Sequence, residues 1–246
     1  MGTIITPRRH KVMLWAYGVT TITLRRETLL PRTLASLKRA GFVEPTLFVD
    51  GTKDIEGWER EFGLPVVARS TTIRTYGNWV LALGELLIRN PTAERFAMFQ
   101  DDFVTYPNLR PFLERNEYPH RKGYWNLYTF PANQELCVTK EGNQVKGWFE
   151  SNQRGLGAVA LVFDKQAVLD LLTHSHMIGR PLSVDRGWRA VDGGIVTAMK
   201  KVGYKEMVHN PTLVQHSGLV SSMGNRKHPL ATSYRGEQFD AMTLLG

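Results

Sequence analysis

The sequence predicts an α/β fold, a mixed and mostly parallel sheet flanked by helices, and three observations point to it. Short apolar runs alternate with stretches of helical periodicity along most of the chain. The first strand, helix and second strand fit within roughly 40 residues, as a parallel crossover unit does. Two of the apolar runs stop at aspartates, Asp50-Gly51 and Asp101-Asp102, at strand ends where α/β proteins place their ligands.

Taken in order, residues 11–17 form a short apolar run. Residues 26–40 follow, with Leu29, Leu30, Leu34 and Leu37 at helical spacing. Residues 46–49 read as a second buried strand and 65–68 as a third. Tyr76-Gly77-Asn78 introduces a helix over 79–88, and the strand at 95–99 runs straight into Gln100-Asp101-Asp102. A helix over 107–115 precedes an aromatic strand over 123–130. Residues 131–146 turn polar and lose their period, which suggests a loop or ribbon over a cleft. Residues 158–163 restore a strand, 165–172 and 193–202 read as helices, and little regular structure is expected from Asn210 onward. With no internal repeat and no low-complexity linker, the chain reads as one domain over 1–246.

A chain of 246 residues with 42% apolar content can bury a substantial core, which excludes a disordered or fibrous protein. Its one cysteine, Cys137, can form no internal disulfide and supplies no thiolate cluster. Any metal is therefore expected on oxygen and imidazole ligands, and a reducing compartment is favoured. Residues 1–10 end in Arg8-Arg9-His10 without an apolar run fit for a signal peptide or a membrane span, so a cytoplasmic location is expected. Thirty-one Lys and Arg against 23 Asp and Glu give a formal charge of +8, an excess that suits a polyanionic partner such as nucleic acid.

Adjacent carboxylates at a strand end raise each other's cost of ionisation, and a divalent cation removes that cost. Mg²⁺ or Mn²⁺ takes one or two carboxylates together with phosphate oxygens and water, a match to a diphosphate ligand. The other reading of Asp101-Asp102 is a turn or a cap for the helix that follows. Further on, a polar cluster runs from His209 through Gln215-His216-Ser217-Gly218 to Ser221-Ser222. There His216 can supply an imidazole ligand while the backbone amides of Ser217 and Gly218 reach phosphate.

The order of elements, the acidic pair after a central strand and the late histidine resemble the GT-A (Rossmann-like) glycosyltransferases. The segment Gln215-His216-Ser217-Gly218 to Ser221-Ser222 looks like that of the branching N-acetylglucosaminyltransferases, whose acidic motif is Glu-Asp-Asp; here Gln100 stands in the first acidic position. The run Arg25-Arg26-Glu27-Thr28-Leu29-Leu30-Pro31-Arg32-Thr33-Leu34 bears a looser likeness to phage-type and base-modifying glucosyltransferases. The resemblance implies a nucleotide-binding half over 11–102, an acceptor half over 103–224 and a tail over 225–246 that covers the site. It implies that Asp102 and His216 hold Mn²⁺ or Mg²⁺, that Asp101 contacts the sugar or ribose, and that Asp50 lies near the base or ribose. The donor it implies is a nucleoside diphosphate sugar, with a UDP-sugar favoured.

Asn78 is read either as an exposed amide reaching the nucleotide at a helix start or as an N-cap. Arg69 and Arg74 flank a polar run and suit either phosphate or the surface. For inverting transfer a carboxylate must take the acceptor's proton. Asp192 is the first candidate and Asp185 the second, with an N-cap as the other reading of Asp192. Gly155-Leu156-Gly157 could let a sugar approach the backbone but matches no dinucleotide fingerprint. Tyr124, Trp125, Tyr128 and Trp148 offer a stacking platform, two of them expected in the core, with Trp125 and Trp148 the candidates to stack a flipped base. The acceptor is a hydroxyl, on a hydroxymethylated DNA base, a glycan or a lipid-linked saccharide, and the basic charge favours DNA. Two other classes compete: a two-metal nuclease or nucleotidyltransferase, which needs a third carboxylate, and a non-catalytic nucleic-acid-binding module.

Overall fold

The computed structural model describes residues 13–119, 122–138, 145–178, 191–217 and 229–246. Its main sheet is built from β1 (Trp15–Ile22), β2 (Thr46–Asp50), β3 (Val66–Arg69), β4 (Arg95–Gln100), β6 (Gly123–Asn126), β7 (Gly147–Glu150), β8 (Ala160–Asp164) and β9 (Lys205–Asn210). The order is β3-β2-β1-β4-β8-β6-β9-β7, and β5 (Phe103–Thr105) pairs with β10 (Val214–His216) in a separate ribbon. Strands β3, β2, β1 and β4 are parallel neighbours, as are β6 and β9, while β8 and β7 run antiparallel to the strands beside them. This is the mixed, mostly parallel, helix-flanked sheet expected.

Alternate residues of the strands feed two cores. On β4, Ala97 and Phe99 join the core shared with α1 (Leu30–Ala40), α2 (Ile55–Phe62) and α4 (Leu109–Arg115). Phe96 and Met98 join the opposite core, shared with α3 (Arg74–Arg89), α6 (Lys165–Thr173) and α8 (Val191–Lys201). Both faces of the sheet are thus covered, which is why its central strands read as continuous apolar runs. Two short helices, α5 (Pro131–Gln134) and α7 (Ser175–Ile178), complete the described helices.

Several boundaries differ from expectation, each for a local reason. β1 runs through Gly18 to Ile22, paired with β2, rather than ending at 17; position 18 is glycine because a Cβ there would lie 2.4 Å from the Phe48 ring on β2. That glycine marks a close approach within the sheet, not a stop. Helix α3 begins at Arg74, about a turn before the expected start. Its first amides are capped from another strand: Ile73 and Arg74 donate to Asp50 Oδ1 and Oδ2 at 2.9 and 2.7 Å. The aromatic strand stops at Asn126, whose Oδ1 accepts the Tyr128 N–H at 3.1 Å and draws the backbone out of the ladder. Helix α2 was not foreseen, because it buries only Trp58; an Asp54 cap and a left-handed Gly63 fix its ends.

Residues 229–246 pack back onto the domain. Tyr234 stacks on Tyr106 at 4.9 Å, Phe239 meets the same ring edge-on at 5.1 Å, and Ala241 is buried. Among the described residues, no helix is long and apolar enough to cross a membrane.

Candidate functional site

The strand order changes direction at β1: β2 lies to one side and β4 to the other. Loops leaving the carboxyl ends of β1 and β4 therefore part there and leave a crevice. From β1 come Thr21 and the 3-10 turn Thr23–Arg25; from β4 come Asp101 and Asp102. Both aspartates are buried, at 3% and 2% exposure. Burial on this scale requires partners, and Arg25 is the principal one. Its Nη1 donates to Asp101 Oδ1 and, at 2.8 Å, to Asp102 Oδ2. Thr21 Oγ1 donates to Asp101 Oδ2 at 2.6 Å, and the Thr33 hydroxyl on α1 lies 2.9 Å from the carbonyl oxygens of both Asp101 and Phe103.

The ribbon of β5 and β10 brings the late histidine to this turn. His216 pairs with Phe103, the Ser217 N–H donates to the Asp102 carbonyl at 2.8 Å, and His216 Nε2 lies 3.7 Å from Asp102 Oδ2. The Ser217 amide is thereby used, which corrects the expectation that it reaches phosphate; its hydroxyl is the group left over. Among the described residues, Asp102 Oδ1 and Ser217 Oγ are buried polar atoms without a hydrogen-bond partner. Native proteins pair nearly all such atoms, so two at one turn call for a ligand, ion or water. No group of three or more His, Cys, Asp or Glu with metal-holding geometry occurs among the described residues. Asp102 and His216 are the two side chains at the turn whose donor atoms would fit a cation, which would need its further ligands from elsewhere.

Burial holds the Asp101 carboxyl up at about 6; Arg25 pulls it back, and the neighbouring Asp102 adds to the rise. Burial lowers the Arg25 pKa, but the two carboxylates outweigh it and leave the guanidinium above its ordinary value. A carboxyl raised on folding binds protons more tightly in the native state. Stability should therefore fall as pH rises from about 4, the ordinary aspartate value, to about 6, and Asp101 should contribute no further change above that. Thermal midpoints measured across this window should drop less in Asp101→Asn than in the natural protein.

The other expected residues sit as follows. Asp50 is buried at the end of β2 with both oxygens on the α3 amides. Asn78 is neither exposed nor a cap: it lies in the second turn of α3 at 2% exposure, donating to Phe48 O at 2.8 Å and accepting from Arg69 Nε at 3.3 Å. It joins helix to sheet, and its amide does not face the crevice opening as expected. Arg69 is engaged by Glu85 through two bonds of 2.8 and 2.9 Å, so its charge is already matched. Asp192 opens α8, with Oδ2 accepting the Gly157 N–H at 3.0 Å and Oδ1 accepting its neighbour Gly193 N–H at 2.9 Å. Gly157 has φ +75°, and a Cβ there would lie 2.4 Å from the Tyr128 ring, whose centroid is 6.4 Å from that of His216. A chain of contacts thus links His216, Tyr128, Gly157 and Asp192. Asp185 and Gly218 lie outside the described residues, as do Ser221 and Ser222.

The aromatic platform is mostly core. Tyr124, Trp125 and Tyr128 are all buried, three of the four rather than two. Trp125 stacks on Trp148 at 4.8 Å and meets Tyr118 edge-on, so its faces are covered and it cannot stack a flipped base; only Trp148 is part-exposed. His209 is held neutral, at about 4, by burial, and its Nδ1 bonds Pro211 O at 2.7 Å, a structural role.

Two polar residues escaped the sequence reading. Arg25 carried no signal beyond standing in a run of two arginines after a strand. Glu206, on β9, is buried with its pKa raised by burial; Tyr124 and Asn126 bond its Oε1 at 3.4 and 3.2 Å. Asn126 Nδ2 also reaches Leu156 O at 3.3 Å, which ties this network to the loop that Asp192 holds.

The sequence matches no protein-family profile and no curated protein. Among solved structures, the chain is similar to a nucleoside-diphosphate-sugar pyrophosphorylase from Vibrio cholerae RC9, at 11% identity and a TM-score of 0.46, over 83% of this chain and 95% of that one.

Proposed function

We propose that the chain is a metal-dependent glycosyltransferase of the GT-A type, which moves a hexose from a nucleoside diphosphate sugar, UDP-sugars first, to a hydroxyl acceptor. The observation that carries the reading is the turn after β4. There, among the described residues, Asp102 and Ser217 present buried oxygens without a hydrogen-bond partner beside His216, in the crevice where the loops after two neighbouring parallel strands part. In this reading Asp102 and His216 hold Mn²⁺ or Mg²⁺, and the cation, when bound, offsets the charge on the leaving diphosphate. Asp101 faces the sugar or ribose, and the Ser217 hydroxyl and the neighbouring Gly218 face phosphate. Asp50 orders the start of α3 beside the nucleotide, Asn78 braces that helix from behind, and Asp192 takes the acceptor's proton, with Asp185 as its alternative. The two-metal alternative finds no third carboxylate beside the pair among the described residues.

A donor screen with detection of released nucleoside diphosphate, run in Mn²⁺ and in chelator, tests the assignment. Release from no nucleotide sugar, with no Mn²⁺-dependent stabilisation by UDP, would overturn it. His216→Ala should weaken Mn²⁺ and UDP binding together by about 10-fold or more, since even a group that only orients a metal ligand is worth about 10- to 100-fold. Donor affinity equal to the natural protein's, measured calorimetrically in Mn²⁺, would return the histidine to a structural role.

The acceptor in this reading is a hydroxymethylated DNA base, favoured by the charge of +8. With Trp125 covered, a base extruded onto Trp148 would have to use what the stacked Trp125 and the edge-on His209 leave of that part-exposed ring. Sugar incorporation into hydroxymethylated duplexes, against unmodified duplexes and glycans, decides it. Transfer only to glycan or lipid saccharide sinks the DNA acceptor and leaves the transferase standing.

A further inference from the structure

We propose that Arg25 is a transferable counter-ion: it neutralises Asp101 and Asp102, and passes to the donor's diphosphate when a divalent cation on Asp102 and His216 takes over the charge of the pair. The inference rests on the transferase reading above. One nitrogen, Nη1, serves both carboxylates, and on Asp102 it takes Oδ2, the oxygen 3.7 Å from His216 Nε2 that a cation on those two residues would share. A guanidinium and a divalent cation cannot share that oxygen, because like charges a few ångströms apart repel strongly in a buried setting. Asp102 also keeps Oδ1 without a partner among the described residues, so the guanidinium leaves part of the carboxylate's bonding capacity unused.

The surroundings suit a group that moves. Arg25 ends a 3-10 turn with no buried residue, next to Leu24 at 85% exposure, and its side chain is itself 13% exposed at the mouth of the crevice. The carboxylates it would leave are held from other elements: Thr21 bonds Asp101, and the ribbon fixes the Asp102 backbone. The pair therefore needs no guanidinium to keep its shape, only to offset its charge. A planar guanidinium fork matches two phosphate oxygens as well as it matches carboxylates. A doubly charged cation and a doubly charged diphosphate entering together leave the net charge of the site unchanged, and Arg25 exchanges one pair of anionic oxygens for another.

The test uses two probes, Mn²⁺ alone followed by electron paramagnetic resonance, and UDP at saturating Mn²⁺ followed by calorimetry. In Arg25→Met, Mn²⁺ alone should bind about tenfold more tightly, because its competitor is gone, while UDP should bind about tenfold more weakly, within the usual range of site-to-site coupling. Arg25→Lys, which keeps the charge and loses the fork, should shift both affinities in those same opposite directions by less, and it carries the test if the methionine variant fails to fold. Affinities that stay put, or that move together, in the folded variant would overturn the exchange while leaving the transferase reading intact. If the natural protein binds neither Mn²⁺ nor UDP, both fall.

Discussion

Asp102→Asn is expected to keep the fold and lose cation-dependent donor binding, with the UDP affinity in Mn²⁺ falling by about 100-fold or more. The amide removes the charge that offsets a cation and replaces one acceptor oxygen with a donor. It does so at the turn where Oδ1 lacks a partner among the described residues and His216 lies 3.7 Å from Oδ2. The fold tolerates this because Arg25 keeps its bond to Asp101, and because removing one of two adjacent carboxylates relieves the repulsion between them. Stability should move by no more than about 1–2 kcal/mol, the scale of one buried hydrogen bond changed. Calorimetry in Mn²⁺ with a denaturant titration checks both halves. Undiminished UDP affinity would remove Asp102 from the site.

Asp192→Asn is expected to lower kcat by about 100- to 10,000-fold, the usual contribution of a general base, while leaving donor affinity within about twofold. A competing role is visible in the structure: Asp192 holds Gly157 by one bond and starts α8 with another. If that role were the only one, the variant would lose stability, and kcat would fall no further than a loosened loop explains. The pH profile separates the two. A base gives a limb of falling kcat at low pH that disappears in the variant, whereas a loop clamp leaves that limb in place. A retained limb would pass the role to Asp185.

The legible part of the molecule was the part whose causes are local. The apolar runs located β2, β4 and β8 to within a residue or two, because these strands are buried, and β3 as closely although it is a half-buried edge strand. The acidic pair and His216 stood out, and the fold does bring them to one turn. What escaped has tertiary causes. No pattern around residues 74–78 could show that the cap of α3 comes from Asp50 on another strand, and so Asn78 was set at a helix start it does not occupy. The apolar run over 11–17 ends short of Gly18 because the Phe48 ring that requires a glycine there lies across the sheet. Two of the four aromatics are expected in the core and three lie there, because their number shows in sequence and their stacking on one another does not. Arg25 was missed for the same reason: a buried arginine differs from an exposed one only by the carboxylates it meets.

The ribbon that carries His216 has three residues in each strand and stands apart from the eight-stranded sheet. So small a pairing opens at a lower free energy than the sheet beside it. Its amides should therefore exchange with deuterated water by local opening while those of β1 and β4 wait for global unfolding. One of them, the Ser217 N–H on the Asp102 carbonyl, belongs to the candidate site itself. A ligand bridging Asp102 and His216 would fasten the two strands, and uptake over residues 214–217 should slow on adding UDP with Mn²⁺ but not with either alone. The same segment that lets the site open would then act as a clock for its occupancy, readable without any turnover and before the donor sugar or the acceptor is known.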